Sequence, residues 1–324
     1  MTMIKIGGLI AATFASYNGN GSLNLSVIPA VVDKMIHDGL SGVYICGTNG
    51  EGPNLTIEER MAVAEAYVRA ANKRILVLVH VGHPAIAESV KLASHAAYIG
   101  VDAVSSVAAF YFKPASVQNL VDSIAQIAAG APGLPFYYYH IPHLTGLAMD
   151  MVEFLRLSES LIPNLAGIKY TATTLYEYQA CLNYKNGKYD ILYGLDEMLL
   201  SALAVGAKGA IGSTYTFAAP VYLDIIKLFN ADKLADARQL QYELVEMVRC
   251  IVKYSPIPAQ RAIMKLEGFD LGPSRLPLVD LTGEEMSALK NSLDKIGFFE
   301  LLAQHKSARG EPGLQKTMAV NSGK

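Results

Sequence analysis

Eight short apolar runs recur before residue 215, and each is followed by a stretch with helical spacing. They are GGLIAATF (7–14), GVYIC (42–46), ILVLVHV (75–81), DAVSSV (102–107), PFYYYHI (135–141), LAGIK (165–169), DILYG (190–194) and GAIGS (209–213). Most are rich in β-branched or aromatic residues and too short for stable helices, so they read as strands. The segments between them read as amphipathic helices. TIEERMAVAEAYVRAANKR opens on Thr56 with Glu59 three residues on, the spacing of a capping box. Strands alternating with helices predict a parallel sheet. Eight such units predict an α/β fold of the closed (β/α)8 TIM-barrel type, which takes about 250 residues. An open doubly wound sheet is the alternative.

After Thr214 the alternation stops. PVYLDIIKLFNADK, LADARQLQYELVEMVRCIVKYS, PIPAQRAIMKLEGF and TGEEMSALKNSLDKIGFFELLAQ all read as helices. In the second, Ala237, Leu240, Leu244, Met247, Val248 and Ile251 share one face. The expected organisation is a barrel over 1–217, C-terminal helices packed on it over 218–305, and a disordered tail over 306–324, where periodicity is lost.

Composition narrows the function classes. A net charge of −2 without a basic block argues against a nucleic-acid partner. The cysteines Cys46, Cys181 and Cys250 are far apart and odd in number, which indicates neither a zinc site nor a disulfide framework and suits a reducing cytoplasm. No apolar run approaches the ~20 residues that span a bilayer, and the N-terminus lacks the layout of a signal peptide. The expectation is a cytoplasmic chain with no membrane partner.

In a barrel of this type chemistry gathers where strands end. Strand two ends in GTNGEGP, five in YYYHIPHLTG, six in Lys169, seven in GLDE and eight in GSTY. A lone strand-end lysine can snorkel to solvent. In an apolar cup it instead loses its charge and becomes a nucleophile for carbonyls. Successive N–H groups in the glycine-rich Gly47–Glu51 turn suit a carboxylate or phosphate, with Thr48 and Asn49 as added donors. It is not a P-loop. Glu51 is expected to fasten that loop. Tyr137 and Tyr139 share a face of strand five, as core aromatics or as a proton relay. The pairs His80/His83 and His140/His143 lack a third ligand at a known spacing, so no metal is expected. Asp196 and Glu197 complement a helix dipole or hold a polyol, and Ser213, Thr214 and Tyr215 can join them.

GTNGEG, YYYHIPHLTG, GIKYT, YGLDE and GAIGSTY, in this order and at these separations, resemble the pyruvate-dependent class I aldolases of the N-acetylneuraminate lyase and dihydrodipicolinate synthase superfamily. The similarity runs from GGLIAAT to about residue 300. It implies a (β/α)8 barrel with C-terminal helices, a homotetramer, and no metal or organic cofactor. By resemblance, Lys169 forms a Schiff base with a keto acid and Tyr139 bonds the substrate and passes protons. Gly47–Glu51 grips the keto acid's carboxylate through Thr48 and Asn49. Tyr111 completes the relay from a neighbouring subunit. Thr171, Gly194, Asp196, Glu197 and Ser213 bind the substrate.

The synthase branch carries an arginine where this chain has Leu144, so its bidentate grip on a second carboxylate is missing. The lyase branch has an apolar residue there and an Asp-Glu pair after strand seven. The resemblance therefore implies reversible cleavage of N-acetylneuraminate to pyruvate and N-acetylmannosamine. The alternatives are an aldolase or dehydratase for a 2-keto-3-deoxy sugar acid, and a catalytically silent keto-acid sensor. Two departures stand out. Asn49 replaces the usual threonine, and an amide cannot shuttle a proton as a hydroxyl does. Thr173 replaces a small residue, a change that would crowd or rewire the sugar pocket.

Overall fold

The computed structural model describes residues 5–307. Its strands are β1 (Gly8–Ala12), β2 (Gly42–Ile45), β3 (Leu76–His80), β4 (Ala103–Val107), β5 (Phe136–His140), β6 (Leu165–Tyr170), β7 (Asp190–Tyr193) and β8 (Gly209–Gly212). They pair in chain order, and β8 returns to β1, closing a parallel barrel. Closure rests on four register partners, from Gly8↔Gly209 to Ala11↔Gly212.

The connections carry α1 (Ile28–His37), α2 (Ile57–Ala71), α3 (Ile86–Ile99), α4 (Val117–Ala128), the single turn α5 (Pro142–Thr145), α6 (Met151–Leu161), α7 (Leu175–Asn183), α8 (Leu199–Ala204) and α9 (Tyr215–Asn230). The capping box forms at α2. Thr56 accepts the Glu59 N–H at 3.2 Å, and Glu59 accepts the Thr56 N–H at 3.0 Å. Then come α10 (Leu234–Ile251), α11 (Pro256–Leu266), α12 (Gly283–Lys295) and α13 (Phe298–Ser307). Helix α9 runs through residues 217 and 218 and packs on both β1 and α10, so one helix joins the barrel to the C-terminal helices. In α10, Ala237, Leu244, Met247 and Ile251 are buried, and Leu240 and Val248 pack against them. Residues 306 and 307 are not tail, as expected, but the last turn of α13, where Lys306 pairs with Glu267. The rest of that expected tail, 308–324, lies outside the described residues.

Two apolar cores follow from the two faces of the strands. The larger lies between sheet and helices and takes Phe136 and Tyr138 of β5. The smaller fills the barrel and takes Tyr44, Leu78, Tyr137, Tyr139, Leu192 and Ile211.

Strand β6 breaks its own alternation. Phe136 pairs with Leu165, but Tyr137 pairs with Gly167, which leaves Ala166 as an extra residue. Such a bulge shifts the phase of everything beyond it. Leu165, Ile168 and Tyr170 therefore face the helices, while Ala166 faces inward. Lys169, between Ile168 and Tyr170, points into the barrel. Strict alternation from Leu165 would have turned it outward. Glycine is required at the bulge, because a Cβ on Gly167 would stand 1.6 Å from the Asp190 carbonyl oxygen.

Candidate active site

The bulge delivers Lys169 to the barrel interior at 3% exposure. It does not snorkel. Its Nζ lies 4.1 Å from the Tyr44 ring centroid and 4.0 Å from that of Tyr139. Burial drives the amine's pKa down from 10.5 to about 7, against the pull of the Asp196 carboxylate. The two ring faces also favour the ammonium, so desolvation has to outweigh both. A lysine that is substantially neutral at pH 7 is a competent carbonyl nucleophile.

Beside it, the Tyr139 hydroxyl is 3.4 Å from Thr48 Oγ1. Burial lifts the Tyr139 phenol to about 12, partly offset by the hydroxyls of Thr48 and Thr171. At neutral pH it holds its proton and acts first as a donor. Thr48 and Asn49 sit half-buried on the loop after β2, where the Gly52 N–H bonds the Gly47 carbonyl at 3.0 Å. The loop folds so tightly onto β2 that a Cβ at Gly52 would lie 2.0 Å from the Cys46 carbonyl oxygen.

Across the opening, Asp196 and Glu197 start a 3-10 turn after β7. Asp196 is 5% exposed, and its Oδ2 accepts the Thr214 N–H at 2.8 Å and the Thr214 hydroxyl at 2.7 Å. Burial, then the Glu197 charge, raises its pKa to about 6, and the Thr214 bonds pull it back. Half of this carboxylate is thus committed to holding β8 against β7. Glu197, Ser213 and Gly194 are half-buried.

These groups share one cavity of about 420 Å³, walled by Lys169, Tyr139, Thr48, Asn49, Thr171, Gly194, Asp196, Glu197 and Ser213 among others. That is ample for a sugar acid. A second lobe of about 310 Å³ opens past Thr48, Tyr139 and Leu144 and reaches His80. Leu144 is exposed and borders both lobes. Tyr111 is 78% exposed on the loop after β4, edge-on to Phe112, and it does not line the cavity of its own chain. Thr173, read as crowding or rewiring the sugar pocket, is instead exposed and stands outside the cavity wall, because β6 has ended and the chain has turned toward α7.

The histidine pairs point apart. His80 is buried beside Tyr139, rings edge-on at 6.0 Å, and its Nε2 accepts the Val107 N–H at 3.2 Å. His83 Nδ1 accepts the Ala85 N–H at 3.0 Å. His140 packs outside the barrel between Tyr138 and Tyr170. Among the described residues no three His, Cys, Asp or Glu side chains gather as a metal site, and no helix is long and apolar enough to cross a membrane.

Two parts of the site escape sequence reasoning. Tyr44 looks like any inward core aromatic. Val248, Ile251 and Val252 of the α10 end, with Ile257 and Gln260 of α11, also line the cavity. Their amphipathic spacing says that one face is buried, but not against what.

Known proteins resemble this chain in sequence and fold. Residues 5–296 match the dihydrodipicolinate synthetase family. The N-acetylneuraminate lyase of Rattus norvegicus is 38% identical over 299 residues, covering 91% of this chain and 93% of that protein. The lyase of Xenopus tropicalis is 40% identical over 279 residues, covering 85% and 91%. Among solved structures, the N-acetylneuraminate lyase of Proteus mirabilis superposes with a TM-score of 0.89 at 38% identity, covering 91% of this chain and all of that one. A barrel closed by eight parallel strands, a buried lysine inside it and a family match over nearly all the described residues agree: the chain belongs to the dihydrodipicolinate synthetase family.

Proposed function

We propose that this chain is a Schiff-base class I aldolase that reversibly cleaves N-acetylneuraminate to pyruvate and N-acetylmannosamine. The observation that carries the chemistry is the buried Lys169 amine, with its pKa lowered to about 7, beside the Tyr139 phenol. The relatives named as N-acetylneuraminate lyases, and Leu144 in place of a guanidinium, support the substrate.

In this reading the neutral Lys169 amine attacks the keto carbon of the open-chain sugar acid. The Tyr139 phenol gives its proton to the departing hydroxyl, which leaves as water, and a protonated imine remains. The imine then draws in the electron pair of the carbon–carbon bond two atoms away. The proton of the neighbouring hydroxyl passes to Tyr139, and the aldehyde sugar leaves. The enamine takes that proton back from Tyr139 on carbon, which restores the protonated imine; water then hydrolyses it to pyruvate and free amine, and the proton released returns to the Tyr139 phenolate. Thr48 and Asn49 hold the carboxylate. Thr48 links Tyr139 to Tyr111 of a neighbouring subunit in a homotetramer. Thr171, Gly194, Asp196, Glu197 and Ser213 hold the sugar-derived chain. The enzyme works in the cytoplasm.

Borohydride reduction in the presence of pyruvate, followed by peptide mass measurement, tests the mechanism. The expected adduct is on Lys169. No adduct points to a keto-acid sensor. Faster cleavage of 2-keto-3-deoxygluconate than of N-acetylneuraminate overturns the substrate.

A further inference from the structure

The Gly47–Glu51 loop is held from behind by a side chain the mechanism does not use. Glu51 adopts a left-handed backbone, φ 50° and ψ 31°, which costs a non-glycine residue about 1–2 kcal/mol unless its surroundings hold it there. It borders the second lobe, but its side chain is 1% exposed. The carboxylate turns away from solvent to the Tyr17 hydroxyl, which donates to Oε2 at 3.3 Å, and to Arg261, whose guanidinium is 3.6 Å from Oε1.

Those partners are themselves anchored. Arg261, on α11, pairs with Glu51 by charge and gives its hydrogen bonds to the carbonyls of Ala15, Leu271, Gly272 and Pro273. The Tyr17 ring lies under the guanidinium of Arg275 at 4.5 Å, and Arg275 grips Glu59 of α2 with two bonds of 2.8 Å. The C-terminal helices are thereby wired to the one loop expected to grip the keto acid. From Glu51 the path to the chemistry is short. Its N–H bonds the Thr48 carbonyl at 3.1 Å, and Thr48 Oγ1 lies 3.4 Å from the Tyr139 hydroxyl.

We infer that Glu51, held by Tyr17 and Arg261, is a positioning residue that sets the Gly47–Glu51 loop in its carboxylate-gripping shape. This rests on the class I aldolase reading. A ligand's two carboxylate oxygens demand N–H groups placed within a few tenths of an ångström, and a loop that relaxes loses that grip before it loses its fold. The defect would thus be specific to substrates with a carboxylate beside the ketone.

The test compares borohydride trapping by pyruvate with trapping by acetone, which offers the ketone without the carboxylate. In Glu51→Gln the pyruvate concentration for half-maximal trapping is expected to rise about tenfold or more, with the same final yield and an unchanged acetone response. In Tyr17→Phe, which keeps the ring and removes only the donor, it is expected to rise about threefold. Should Glu51→Gln fail to fold, Tyr17→Phe carries the test. An unchanged half-saturation for pyruvate in folded variants overturns the inference, as does an equal loss for pyruvate and acetone. If the unmodified chain traps no pyruvate on Lys169, the aldolase reading itself falls, and that is seen before any variant is made.

Discussion

Replacing Lys169 by methionine should make the protein more stable, and by an amount that depends on pH. The unfolded lysine titrates near 10.5 and the folded one at about 7, for burial alone outweighs the Asp196 carboxylate. At 1.36 kcal/mol per pKa unit, the gap corresponds to about 5 kcal/mol that the folded state gives up in keeping this amine. Between pH 7 and 10.5 the unfolded chain binds a proton that the folded chain does not, so the wild type gains stability as pH rises through that window. The penalty is complete below pH 7 and absent above 10.5. Methionine has a similar shape and no charge, and would sit between the rings of Tyr44 and Tyr139 without it. Lys169→Met is therefore expected to melt roughly 10 °C above wild type at pH 6.5, and about 4 °C above it at pH 9, taking about 2 °C per kcal/mol for a chain of this size. Thermal melts of both proteins at matched concentration, followed by circular dichroism, give both gaps. A gap that is constant between pH 6.5 and 9 would mean that the amine is hydrated in the folded protein, and the nucleophile assignment would go with it. The rate of imine formation in the wild type should rise through the same pH region as the neutral amine appears.

Two further outcomes bear on the proton relay. Tyr139→Phe should slow cleavage by about 10²-fold or more while leaving pyruvate binding measurable, and a near-unchanged kcat would remove the phenol from the mechanism. Tyr111, exposed and outside its own cavity, should act in trans. Mixed oligomers refolded from Lys169→Ala and Tyr111→Phe chains should regain part of the activity that neither parent has, and mixtures no more active than their parents would rule out a shared site.

The strand–helix alternation was legible because each strand's apolar run is short, and its boundaries held to within a residue or two. Lys169 stood out for a different reason: a lysine inside an apolar strand is unusual whichever way it points. Its direction was not legible. The phase change at Ala166 arises from how β6 pairs with β5 and from the close approach of Gly167 to Asp190, and neither is a property of β6 alone. Thr173 was misplaced for a related reason, since proximity in sequence to Lys169 says little once the strand has ended. The part of the cavity wall contributed by α10 and α11 was hidden because helical periodicity reports burial without naming a partner. Arg261 reads as an ordinary helical arginine until the fold brings it to Glu51, 210 positions earlier in the chain.

The pairing of β1 with β8 also sets a schedule for synthesis. Gly8 has no partner on that side until Gly209 has been made. At roughly 5–20 residues per second, the first strand waits about 10–40 s on the ribosome with an open edge. Through that interval the nascent sheet offers two unpaired borders, each a template for a neighbouring nascent chain, and both vanish in the same event when the ring shuts. Crowded expression is therefore most hazardous for this protein before its eighth strand emerges, and slowing translation just upstream of residue 209 should lengthen that exposure.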